Sequence, residues 1–311
     1  MGVIRHDNGT CLDSTRSRRK SVSSPGWATG LISATRRRHL IAHSLLLGAM
    51  VLSGCRQTGA PPVSTAIFYG KPVPVDILSR YHHVVVEAEN LPQPGAFDPD
   101  TTRLFAYVSV GEAEGWRSAA SGLDPSLFLG TNKDWNSRIA DLTQAGWIDF
   151  LIEKRIASLW QQGYRAFFLD TLDSYRIIVK DPMGQALQAD ALVNLIETIH
   201  RRFPGVQLLL NRGFEILPDV AHLAVGLVAE SLFQGWDAGT ESYTRTNENG
   251  RVWLLTQLRT ANIRYRLPIT VIDYVSPNEP VLAQETARRI QELGFAAWVA
   301  TPALDTLGPE P

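Results

Sequence analysis

Eight short apolar runs constrain this chain more than any other feature: Thr65–Tyr69, His83–Ala88, Leu104–Val110, Ala166–Asp170, Val206–Asn211, Val225–Glu230, Ile269–Tyr274 and Phe295–Ala300. Most lack polar alternation, which is the pattern of strands buried on both faces, and helical or mixed segments separate them. Parallel strands need crossover connections. The repeat therefore predicts an α/β fold, a single (β/α)8 TIM barrel over residues 65–302, a usual length for one barrel. Chemistry in such barrels sits at the C-terminal strand ends, where this chain carries Glu87, Glu112, Asp170, Asp173, Asn211, Arg212, Glu230, Asp273 and Tyr274. A mouth of acids, amides and aromatics points to sugar processing.

The first residues stand apart from the barrel. Arg36-Arg37-Arg38 precedes Leu40–Leu52, an apolar run too short for a permanent membrane span and laid out as an export signal. It ends Leu52-Ser53-Gly54-Cys55, similar to the lipobox of bacterial lipoproteins. We therefore expect 1–54 to be leader and signal peptide, Cys55 the lipidation site, 55–64 a tether and 303–311 a tail. The expected product is an exported lipoprotein of the cell envelope, lipid-anchored to a membrane and monomeric. An ordinary export signal with an incidental cysteine is the alternative.

Cysteine and charge narrow the chemistry. Only Cys11 and Cys55 are present, so a domain beginning at Cys55 has no disulfide and no thiol nucleophile within its body. Of 30 Lys/Arg and 31 Asp/Glu, eight and two fall before Cys55, which leaves 22 and 29 and a net charge of −7. That balance argues against nucleic acid, which needs clustered positive charge. A metal-dependent deacetylase would need clustered His and Asp. The four histidines after Cys55 are His82 and His83, side by side at a strand start, and His200 and His222, on or beside helices. We expect no metal and no cofactor.

Between the runs, Ile148, Leu151, Ile152, Ile156, Leu159 and Trp160 recur at helical steps and predict a helix over 146–163. Leu187, Leu195, Ile196, Ile199 and Phe203 predict another, closed by Pro204-Gly205, and Val281, Ala287, Ile290 and Leu293 a third, ended by Gly294. The stretches 112–134 and 233–250 read as long loops on the catalytic face, the second with Trp236 and Tyr243. Trp236 is as readily a core residue as a sugar platform.

Asp170 ends a fully apolar strand, where a charge is costly unless it is used or paired. Glu230 ends another two strands later. Glycosidic hydrolysis needs two carboxyl groups across the scissile bond, so this pair is the expected catalytic couple. A salt bridge from Glu230 to Arg212 is the bland alternative, and Asp173 is as readily a helix cap. Tyr107, Glu112, Asp173, Asn211, Arg212, Asp273 and Tyr274 are the expected substrate-binding residues. Polar neighbours after Asp170 predict that it stays ionised, as nucleophile or base. Apolar neighbours around Glu230 predict a raised pKa, as acid.

Four segments together carry a resemblance: Tyr107-Val108-Ser109-Val110-Gly111-Glu112, Phe168 through Tyr175, Asn211-Arg212-Gly213-Phe214-Glu215 and Ala229-Glu230-Ser231. In this order they resemble the endo-α-1,4-polygalactosaminidases, glycoside hydrolase family 114, and a related family that processes the Pel exopolysaccharide. The resemblance spans residues 65–302. It implies a barrel that cleaves partly de-N-acetylated α-1,4-galactosamine polymer internally, with Asp170 and Glu230 as its carboxylates. A non-catalytic polysaccharide-binding lipoprotein and a hydrolase of another glycan are the competing readings.

Overall fold

The structure, a computed structural model, describes residues 59–308 apart from 92 and 115–121, so the expected export signal and lipidation site at Cys55 lie outside the described residues. The strands β1 (Thr65–Phe68), β2 (His83–Val86) and β3 (Arg103–Ser109) lead into a small antiparallel sheet, β4 (Glu112–Glu114), β5 (Phe128–Asn132) and β6 (Ser137–Ala140). β7 (Ala166–Asp170), β8 (Gln207–Asn211) and β9 (Ala224–Glu230) follow. After a hairpin, β10 (Gln234–Asp237) and β11 (Ser242–Arg245), come β12 (Ile269–Tyr274) and β13 (Ala296–Ala300).

Eight of these strands form one parallel sheet in the order β1-β2-β3-β7-β8-β9-β12-β13, and β1 adjoins β13. The fold is a single (β/α)8 barrel, and its eight strands are the eight apolar runs. The connections are uneven. A single turn, α1 (Val75–Leu78), joins β1 to β2, and only short 3-10 turns join β2 to β3. The predicted helix over 146–163 is present as α2 (Ala145–Asp149), a π-helical stretch Phe150–Ile156 and α3 (Ala157–Gln161).

α4 (Pro182–Arg202) connects β7 to β8. Asp181 caps it by accepting from the Gly184 N–H at 2.7 Å, and His200, Arg201 and Arg202 occupy its last turn, where cations suit the helix dipole. Leu192, Leu195, Ile196 and Ile199 face the barrel, whereas Leu187 is exposed and Gln188 is buried in its place. Gln188 earns that burial by accepting from the Leu142 N–H and donating to Asp141. α5 (Leu217–Val220), α6 (Glu248–Arg264) and α7 (Pro280–Glu292) complete the outer ring.

Alternation places the core. Along β7, Phe167 and Phe168 are both buried but on opposite faces, and Phe168 reaches the wall of the mouth cavity. Each such side chain contributes about 1.5–3 kcal/mol on leaving water.

The barrel takes in residues on both sides of 65–302. Asn262 donates to the Ala60 carbonyl at 2.9 Å, so the packed chain starts before Thr65. Leu304 is buried, and its carbonyl accepts from the Tyr69 N–H at 2.7 Å, so residues just after 302 are wall rather than tail. Among the described residues no helix is long and apolar enough to cross a membrane.

Candidate active site

Asp170, Asn211 and Glu230 are the last residues of three neighbouring strands, β7, β8 and β9. The residue after each, Thr171, Arg212 and Ser231, has a left-handed backbone, with φ of 60°, 57° and 65°. That conformation costs on the order of 1–3 kcal/mol at a residue bearing a side chain. Here it bends the chain off the strand directly behind each mouth-facing group. Thr171, β-branched and least suited to it, is pinned through its hydroxyl, which donates to the Asp170 carbonyl (2.6 Å) and accepts from the Gly111 N–H (2.8 Å). A Cβ at Gly111 would lie 2.2 Å from the Thr171 carbonyl oxygen, so the approach requires glycine.

The three side chains form one unit. Asn211 Nδ2 donates to Asp170 Oδ1 and to Glu230 Oε1, each at 2.7 Å. Tyr107 donates its hydroxyl to Asp170 Oδ2 at 3.0 Å, and Tyr274 donates to Glu230 Oε2. Asn211 Oδ1 is buried without a partner, so the two carboxylates alone orient this amide. Arg212 donates to the backbone carbonyl of Glu230 at 3.1 Å rather than forming the salt bridge that was the bland alternative.

Burial, and then the charge of Glu230, push the Asp170 carboxyl up to about 7, against the pull of Asn211 and Tyr107. This corrects the expectation that polar sequence neighbours keep Asp170 ionised. Thr171 and Ser174 aim their hydroxyls elsewhere, Ser174 at Glu112 and Thr171 at the backbone, while Tyr175 donates to Glu215. The apolar setting expected for Glu230 is absent too, because its carboxylate meets an amide and a phenol. Burial and Glu230 also push Tyr274 well above the usual phenol range, which keeps it a donor.

A cavity of about 450 Å³ opens over the pair. Tyr107, Glu112, Asp173, Asn211, Arg212 and Tyr274 line it together with Asp170 and Glu230. Glu112 is nonetheless committed to the frame: it accepts from Asn132 at 3.0 Å, from Ser174 at 2.5 Å and from Ser137, tying β5, β6 and the loop after β7 to one carboxylate. Asp173 is raised by burial, while Arg212 beside it pulls the other way. Its side chain makes no cap to the 3-10 turn that follows it.

Asp273 is a correction. It is fully buried and absent from the cavity wall, and it accepts the N–H groups of Leu232, Phe233 and Gln234 at 2.7, 2.8 and 2.8 Å. Its role is to anchor the chain leaving β9, just behind Glu230. Trp236 packs against the core and edge-on to Tyr243, 4.9 Å between centroids, and does not line the cavity.

Sequence reasoning missed Tyr69, Trp135 and Leu304 on the cavity wall. Tyr69 ended an apolar run, and Trp135 stands alone in the polar stretch Asn132-Lys133-Asp134-Trp135-Asn136, which was the available signal. Among the described residues no group of three His, Cys, Asp or Glu is placed to hold a metal ion. His82 bonds Ser64, and His83 packs on Phe105 at the opposite end of the barrel from the mouth.

A parallel barrel with paired carboxylates, amide and phenols at its C-terminal mouth is the architecture of a glycosidase. Residues 79–310 match the model of glycoside hydrolase family GH114, and the chain belongs to that family. It is similar to the glycoside hydrolase domain of PelA from Pseudomonas aeruginosa, with 37% identity over 80% of this chain and 98% of that one, TM-score 0.73. A variant of the same domain matches at 36% identity over the same shares, TM-score 0.73. Ega3 from Aspergillus fumigatus, solved in complex with galactosamine, shares the fold at 14% identity over 82% of this chain and 96% of that one, TM-score 0.55. No curated protein matches the chain.

Proposed function

We propose that this glycosidase cleaves α-1,4-linked galactosamine and N-acetylgalactosamine exopolysaccharide internally, with Asp170 as nucleophile and Glu230 as acid and then base. The observation that carries the chemistry is the Asn211 amide bonded to both carboxylates. Two 2.7 Å bonds to one nitrogen bring one oxygen of each carboxylate close together, which supports the roughly 5–5.5 Å carboxyl spacing of retaining glycosidases. The substrate class rests on the family and on the kinship to PelA.

Asp170 is the shorter side chain, at the end of a rigid strand with both oxygens tied, which suits a nucleophile that must hold its line to C1. Glu230 has the longer reach to the glycosidic oxygen. Below about pH 7 the pair shares one proton, because burial and the charge of Glu230 raise Asp170. The productive state carries it on Glu230, where the glycosidic oxygen accepts its hydrogen bond. Asp170 Oδ attacks C1 as the C1–O bond breaks, and the leaving oxygen takes the Glu230 proton. Glu230 then accepts a proton from water, whose oxygen displaces Asp170 from C1, so configuration is retained.

An activated aryl galactosaminide, whose leaving group needs no protonation, separates the roles. Glu230→Ala should keep much of the bond-cleaving step on it and Asp170→Ala should not, while both should lose several orders of magnitude on polymer. The reverse pattern exchanges the roles, and full activity on polymer in either variant removes that residue from the mechanism.

The sequence around Cys55 supports export as a lipoprotein. Radiolabelled palmitate should enter the parent and not Cys55→Ser; equal labelling of both would refute the anchor.

A further inference from the structure

Most described tryptophans have a place in the packing. Trp147 and Trp298 are almost wholly buried, Trp160 and Trp236 pack against the core, and Trp253, although exposed, meets Phe214 edge-on at 5.7 Å. Trp135 differs. It is 58% exposed, the most exposed of the described tryptophans, yet it lines the same cavity as Asp170 and Glu230. An exposed indole forfeits the burial that usually retains a tryptophan, so packing alone does not account for it.

Its mounting is firm. Trp135 sits in the turn between β5 and β6, whose ladder pairs Asn132 with Ser137 directly beneath it. Asn136 takes a left-handed backbone at φ 48°, and Asn132 caps the turn by accepting from the Asp134 N–H at 3.2 Å. Glu112 holds both Asn132 and Ser137, and through Ser174 ties this turn to the loop that follows Asp170. The turn that carries the indole is therefore tied to the loop that follows Asp170.

Strand order sets the direction. Asp170 and Glu230 stand on β7 and β9, Tyr69 and Leu304 form the wall on the β1 and β13 side, and Trp135 stands beyond β3 on the excursion between β3 and β7. One cavity thus takes in both the carboxylates and the indole on the excursion between β3 and β7. A cavity of about 450 Å³ is the size that takes a ligand larger than one pyranose.

We propose that Trp135 builds a distal sugar subsite, its open ring face stacking on a pyranose of the polysaccharide one or more residues from the cleaved bond. The apolar C–H face of a pyranose fits an indole, and an amino sugar adds an ammonium that is attracted to the ring. This subsite makes activity depend on chain length, and it rests on the polysaccharide-hydrolase reading above.

The test measures KM and kcat on α-1,4-galactosamine oligosaccharides of increasing length, for the full chain and for Trp135→Ala, Trp135→Phe and Trp253→Ala. Trp135→Ala should raise KM on long oligomers about tenfold with little change in kcat, and the gap should close on the shortest. Trp135→Phe should recover most of the affinity, and Trp253→Ala should match the parent. Equal KM for Trp135→Ala and the parent at every length overturns the subsite. Calorimetric binding of the same oligomers to Asp170→Asn, with and without Trp135→Ala, keeps the two readings separate. Tighter binding with the indole present, but no turnover by the parent, retains the subsite and rejects the hydrolase; identical binding rejects the subsite.

Discussion

Two carboxylates in a cavity repel, and Asp170 and Glu230 sit close enough to accept from the same amide nitrogen. Removing a partner from such a pair leaves charge without compensation, which costs more than the contact itself was worth. On the proposed mechanism Asn211 is a positioning residue for the pair, a more specific role than the substrate contact its sequence position suggests. Its donation favours the ionised form of Asp170, which burial and Glu230 push up to about 7. The pair titrates as a unit, so its upper apparent pKa marks loss of the last shared proton, and kcat/KM should fall above about pH 7. Asn211→Ala removes a pull toward ionisation, so its alkaline limb should move to higher pH. Its kcat should fall about 100-fold, the scale of a misplaced catalytic group. A pH–rate profile separates the two roles: loss of activity with an unmoved alkaline limb would return Asn211 to substrate contact.

At the scale of elements, legibility followed periodicity. The barrel strands stand where apolar runs predicted them because a strand buried on both faces must be apolar throughout, which is a signal no loop imitates. The segment over 112–134 read as loop because β4 and β5, like β6 just beyond, are three to five residues long, too short to show a period, and gather Asn132 and Ser137 around the buried carboxylate of Glu112. The helix α6 was hidden for a related reason. Val252 and Trp253 point outward while Leu254, Leu258 and Ala261 point in, so apolar residues occupy both sides and blur the stripe. Site residues at strand ends were legible as chemistry but not as direction. Asp273 and Tyr274 are consecutive on β12, and a period of two sends one into the frame behind Glu230 and the other into the mouth. No pattern in the sequence states which is which.

For the molecule as a whole, buried titratable groups decide how stability answers to pH, and Asp173, raised by burial like Asp170 and Asp273, acts in their sense. Burial raises Asp170 and Asp273 to about 7, so between roughly pH 4 and 7 the folded state holds protons that the unfolded chain has released. Each of these carboxyls therefore makes stability fall as pH rises through that window. His83 acts in the opposite sense. Burial, then the charges of Arg103 and His82, lower it to about 4, so the folded state refuses a proton that the unfolded chain binds up to about 6.5, and stability rises with pH. Two carboxyls against one imidazole leave an excess of about one proton in the folded state, a slope of about 1.4 kcal/mol per pH unit, and Asp173 adds to it in the same sense. Asp124 and Asp141, both lowered, act only below this window. The melting temperature of the parent should thus decline from pH 5 to pH 7 and level off above. Asp170→Asn removes one raised carboxyl and leaves Asp273 and Asp173 against His83, so its curve over the same range should fall less steeply than the parent's. Calorimetric melts of both proteins at pH 5, 6, 7 and 8 decide the point. Parallel curves would mean that Asp170 titrates at its ordinary value and that the shared proton at the mouth does not exist.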